Sequence, residues 1–176
     1  ANFAADVTFA DGADIITATA GTSNFRAGVG AGDSIASGGD RNVVIGKNAG
    51  TALTTGDSNV AIGWEALKTE DAHANNVAIG HAALTTQNAG VDAFNVAVGY
   101  NAGTAVTTGV QNILIGGLAG DALTTGQQNV AIGHHALGSD DVGQKTVAIG
   151  EGALFTQNYA TATDSYNTAV GYNVGN

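Results

Sequence analysis

Apolar and polar positions follow one another in a short phrase, Asn-Val-Ala-Ile-Gly or a close variant, that returns eight times along the chain. The copies begin at Asn42, Asn59, Asn76, Asn95, Asn112, Asn129, Thr146 and Asn167, at intervals of 17, 17, 19, 17, 17, 17 and 21 residues. With each start counted as position 0, positions 1 and 3 are β-branched in every copy, from Val43 and Ile45 to Thr168 and Val170. Residues two apart share one face of a strand, and branched side chains suit a pleated surface. Position 2 lies on the opposite face and is mostly Ala. Position 4 is always Gly (Gly46, Gly63, Gly80, Gly99, Gly116, Gly133, Gly150 and Gly171), which predicts a corner with positive φ or a close backbone approach.

The pattern predicts an all-β chain, a parallel β-solenoid with coils of about 17 residues, each too small to bury its own apolar side chains. Coils are expected to start near residues 24, 42, 59, 76, 95, 112, 129, 146 and 167, the first being a worn copy. Coils stacked at ~4.8 Å make a rod roughly 40 Å long. Frequent Gly and β-branched pairs oppose helix.

The second half of each coil takes one of two forms. Ala-Gly coils carry Leu53, Val106 or Leu123 at position 11; Ala-Leu coils carry Leu67, Leu84, Leu137 or Leu154 at position 8. The Val/Ile pair plus this one aliphatic is expected to fill each coil to constant volume. The Ala faces at positions 2 and 7 are then left to pack against a neighbouring chain, since a two-sided apolar strand has both faces covered. The insertions Ala89–Phe94 and Tyr159–Tyr166 are expected to bulge as loops, four coils apart, as in a duplicated block. Residues 1–23 do not fit the repeat; Val7–Phe9 and Ile15–Thr17 around Asp11-Gly12 are expected to form capping strands. The stop within a repeat at Asn176 suggests a chain that continues or pairs end to end.

Charge and composition narrow the function. The net charge is −10 with only five basic residues, which argues against nucleic-acid partners. No run of 18 apolar residues is present, so no membrane span is expected. Without cysteine there are no disulfides or thiolate metal sites. No nucleophile, Walker or zinc-protease motif occurs, and no carboxylate pair recurs, so an enzyme is not expected.

The Asn row (Asn42, Asn59, Asn76, Asn95, Asn112, Asn129 and Asn167) reads as a stacked ladder that satisfies backbone groups at a corner. Position 5 varies beside constant neighbours: Lys47, Trp64, His81, Tyr100, Gly117, His134, Glu151 and Tyr172. Its rings, Trp64, His81, Tyr100, His134 and Tyr172, are candidate contacts for a host-surface glycan or receptor, or stack on one another. The Thr pairs at 54–55, 107–108 and 124–125 are interrupted in the Ala-Leu coils, so they form no continuous ice-binding row. His134 and His135 are expected to point opposite ways. Glu70-Asp71 and Asp140-Asp141 are read as solvated loop charge; with Asp57, Asp92, Asp121 and Asp164 they support at most weak Ca²⁺ binding, and no cofactor is expected.

The phrase Asn59–Gly63 resembles the head repeats of trimeric autotransporter adhesins. The longer Ala-Gly-x-x-Leu-Thr-Thr-Gly-x-x-Asn form is similar to repeats of marine phage tail-fibre proteins; together the resemblance covers residues 24–176. It implies a left-handed β-roll, a homotrimer, and a structural, attachment role on a cell surface or virion. The alternatives are a self-polymerising extracellular filament subunit and a glycan-binding module using the aromatic edge.

Overall fold

The computed structural model describes residues 21–176. The proposed capping strands at Val7–Phe9 and Ile15–Thr17 lie outside them. No helix occurs among the described residues, and the chain winds into a parallel β-solenoid of about nine coils. Its strands are β1 (Phe25–Ala27), β2 (Val43–Ile45), β3 (Val60–Ile62), β4 (Val77–Ile79), β5 (Val96–Val98), β6 (Ile113–Ile115), β7 (Val130–Ile132), β8 (Gly143–Gln144), β9 (Val147–Ile149), β10 (Thr163–Asp164) and β11 (Thr168–Val170). All but β8 and β10 form one nine-stranded sheet in chain order. The register keeps position on position, Val43 beside Val60 and Ala61 beside Ala78. The worn copy at residue 24 is a full member, with Phe25 paired to Val43. The second insertion is more than a loop: β10 within it pairs in parallel with β8. In the first insertion Ala93 is buried while Val91 and Phe94 are exposed.

The faces of the strand are the reverse of the expectation. Position 2 points inward: Ala61, Ala78, Ala97, Ala131 and Ala148 are fully buried, as are Val44 and Leu114. The branched pair at positions 1 and 3 points outward and is partly exposed in every coil. The reason is width. The interior already holds the Leu or Val of the opposite wall and the Ala of position 7 (Ala49, Ala66, Ala102, Ala136), all buried, so beneath a position-8 Leu a methyl group is what fits, while over Gly50 and Gly120 the space takes Val44 and Leu114.

The two coil types share one backbone. Position 8 is left-handed in both, with φ of 51° at Gly50 and 57° at Gly120 but also 49° at Leu67 and 54° at Leu137. Gly adopts this without strain; Leu adopts it at a cost that its burial offsets. A Leu at position 8 and a Leu at position 11 exclude each other, because a Cβ on Gly50 would lie 2.8 Å from Leu53 Cδ1 and one on Gly120 2.9 Å from Leu123 Cδ1. Constant volume holds over the stack rather than per coil. The coil at Asn95 holds only Ala97, Ala102 and Val106, and its neighbours lean in: a Cβ on Gly103 would meet Leu114 Cδ1 at 2.6 Å and Leu84 Cδ2 at 3.0 Å.

Two rows lock the corners. Glycine at position 4 has φ between 123° and 143° in all eight copies. A Cβ on Gly46 would lie 2.6 Å from the carbonyl oxygen of Gly63, so both positive φ and close approach operate. The Asn side chains form the second row. Asn42 Oδ1 accepts from the Asn59 amide at 2.8 Å, while its Nδ2 donates to the Gly56 carbonyl at 2.8 Å. The relay runs from Asn24 to Thr146. At Thr146 the side chain is too short to reach the next coil. Its hydroxyl meets Ser165 Oγ at 2.6 Å, and Ser165 Oγ accepts the Asn167 amide at 3.3 Å.

Candidate functional site

Position 5 follows the glycine corner and precedes a left-handed residue at position 6, such as Glu65, Asn101 or His135. The chain is therefore in a tight turn, and the side chain of position 5 stands clear of the sheet. Trp64, His81, Tyr100, His134 and Tyr172 are all exposed along one edge. The first three form a column. Trp64 stacks on His81 with centroids 4.5 Å apart, and His81 on Tyr100 at 5.1 Å, both inclined by 26°. Both faces of His81 are covered by its neighbours, while Trp64 and Tyr100 each have one face stacked on it. Gly117 then ends the column.

Beyond that break the edge is built differently. His134 and His135 do not point apart: their rings meet edge to face at 4.2 Å. They lie in a turn, where φ of 56° at His135 cancels the alternation of a strand. His135 in turn meets Phe155 edge to face at 5.4 Å. These rings, with Glu151 and Tyr172, line an open depression of about 210 Å³. His135 Nδ1 is buried with no hydrogen-bond partner, as is Asp121 Oδ1. Burial pushes the Asp121 carboxyl up, opposed by the charge of His135 and His134 nearby.

The acid pairs are not surface charge. Glu70 and Asp140 are fully buried, whereas their neighbours Asp71 and Asp141 are partly exposed. Both buried acids occupy position 11, the place of Leu53 in Ala-Gly coils. With Leu at position 8, that inward slot holds a polar side chain in every Ala-Leu coil: Glu70, Gln87, Asp140 and Gln157. Asp140 is satisfied by the Gly143 amide at 2.9 Å and Gln157 Nε2 at 2.7 Å. In the first block His73 Nδ1 stands 3.0 Å from Glu70 Oε1, yet Glu70 Oε2 and Gln87 Nε2 lack partners. Burial raises the Glu70 pKa, with His73 acting against it. Aligning position 11 across the coils would have exposed this pattern.

Ligand atoms of Glu70, Asp71 and His73 lie within 4.8 Å of one another, the one grouping of this kind among the described residues. The other acids considered for Ca²⁺ are engaged with protein or scattered. Asp57 pairs with Arg41 at 2.7 Å, Asp164 with Lys145 at 2.6 Å, and Asp92 accepts from the Ala74 amide at 3.0 Å. No helix among the described residues is long and apolar enough to cross a membrane. No family model, no curated protein and no solved structure matches the chain.

Proposed function

We propose that the chain is a structural, fibre-forming protein whose Val/Ile sheet face packs against copies of itself, three chains to a rod, in an extracellular or virion appendage with an attachment role. The observation that carries this reading is the outward double row of branched aliphatics. Val60, Ile62, Val77, Ile79, Val96 and Val98 stand in register on consecutive strands, and Ile113 and Ile115 are 39% and 38% exposed. Nine strands at ~4.8 Å span about 43 Å, and two rows of side chains ~7 Å apart, widened to ~12 Å by their own radii, make an apolar strip of roughly 500 Å². That matches the largest patches found on monomers and falls below the ~800 Å² per partner of a stable dimer interface. One strip is buried once whether one copy or two cover it, so its area does not set the number of chains; three is the number that the resemblance of the repeat phrase to trimeric adhesin heads implies. Homo-oligomers close through repeated copies of one patch.

The test is particle mass by light scattering across concentrations, for the native chain and for Ile79→Lys with Ile132→Lys. A discrete mass three times that of the chain is expected, falling to the monomer in the variant with circular dichroism unchanged. A native monomer at all concentrations refutes the reading, and open-ended growth replaces it with an end-to-end filament. Thr107→Lys, on an exposed site away from the face, leaves the mass unchanged.

A further inference from the structure

We propose that the depression beside Glu151 binds a small organic cation bearing a methylated ammonium head group. The inference concerns one chain and stands apart from the fibre reading. Along the position-5 edge, rings on consecutive coils stack at 4.5 and 5.1 Å. At Glu151 the column lacks a ring, although His134 stands one coil before it and Tyr172 one coil after. Those two positions are two coils, roughly 10 Å, apart. The gap has the height of one stacked group, and the exposed Glu151 side chain lines it.

Its walls come from several coils. His134 and His135 sit on the turn after β7, Glu151 and Phe155 on the turn after β9, and Tyr172 follows β11. His135 is held edge to face by both His134 and Phe155, so the wall is fixed before any ligand arrives. Aromatic faces attract a cation through their quadrupole, and methylated ammonium, poorly hydrated, loses little on entering such a box. The Glu151 side chain makes no ion pair or hydrogen bond within the described chain, and the net charge of −10 draws cations to the surface. An anion would face that carboxylate.

The experiment is calorimetric titration of the native particle at pH 8 with choline, tetramethylammonium and the neutral isostere 3,3-dimethylbutanol. Saturable binding of both cations and none of the alcohol is expected. Tyr172→Ala and Phe155→Ala each weaken binding by about fivefold or more, Glu151→Gln weakens it similarly, and Tyr172→Phe retains it. Trp64→Ala, in the other column, leaves it unchanged. Circular dichroism checks that each variant keeps its fold. Free choline binding without capture by phosphatidylcholine vesicles assigns a soluble cation; vesicle capture that free choline competes away assigns a lipid head group, and either supports the site. No saturation at millimolar choline, equal binding of the alcohol, or affinity unchanged in Glu151→Gln or in both ring-to-Ala variants overturns it.

Discussion

Asn112 sits in the middle of the buried relay, and its removal tests whether that relay holds the coils together. Its Oδ1 accepts the Asn129 amide at 3.0 Å and its Nδ2 donates to the Gly126 carbonyl at 2.9 Å, while its own amide is held by Asn95 Oδ1 at 2.9 Å. Asn112→Ala leaves the last bond intact and orphans the other two partners. Each buried polar group left unpaired costs about 1–3 kcal/mol, so the substitution is expected to cost about 4 kcal/mol. Against a total stability of about 5–15 kcal/mol this is a large share. Urea unfolding reads the magnitude. Hydrogen exchange reads the place, because stability in a stack is a sum of neighbour terms and the loss should concentrate at the Asn129 amide. Asn112→Asp separates the two bonds. The introduced carboxylate still accepts from Asn129 but opposes the Gly126 carbonyl, so it destabilises at pH 7 and recovers as acid restores a donor. Thr108→Ala, on an exposed side chain, stays within about 0.5 kcal/mol of the native chain. A loss below about 1 kcal/mol in Asn112→Ala, with Asn129 protection unchanged, would falsify the claim that the row sets the corner.

Two further outcomes follow from the interior. Leu53→Gln alone should cost about 3–5 kcal/mol, but combined with Val44→Ala and Gly50→Leu, which rebuild the coil in Ala-Leu form, the loss should fall below about 2 kcal/mol in chemical denaturation; additive losses would show that the two coil types are not alternatives on one backbone. Glu70→Gln should raise stability at pH 7 by roughly 1 kcal/mol, a shift of a few degrees in unfolding temperature, because it removes a buried charge with an unpaired oxygen. The sign follows from burial raising the folded pKa above the ordinary 4.5: the unfolded chain loses its proton first, so native stability is full below pH 4.5 and declines as pH rises through the folded value. The gain from Glu70→Gln should therefore vanish in acid, and a gain independent of pH would place its origin elsewhere.

The period of the Asn-Val-Ala-Ile-Gly phrase determined the architecture by itself. Seventeen residues between identical triplets leave each triplet no partner except its own copy, so the parallel register was legible from spacing alone. So were the glycine corner, where any Cβ would meet the next coil, and the exclusion between Leu at position 8 and Leu at position 11. Alternation distinguished two faces of the strand but not which one is inside. Only the tertiary structure decided that, because the answer depends on what the opposite wall holds: beneath a position-8 Leu such as Leu67 the width admits Ala, and over Gly50 and Gly120 it admits Val44 and Leu114. The same cause hid Glu70 and Asp140. As local sequence they are paired acids between coils; in the wound chain they fill the slot vacated when Leu moves to position 8. The depression at Glu151 was legible in part: the repeat sets His134, Glu151 and Tyr172 at position 5 of one edge, and only the wound chain adds His135 and Phe155 to it.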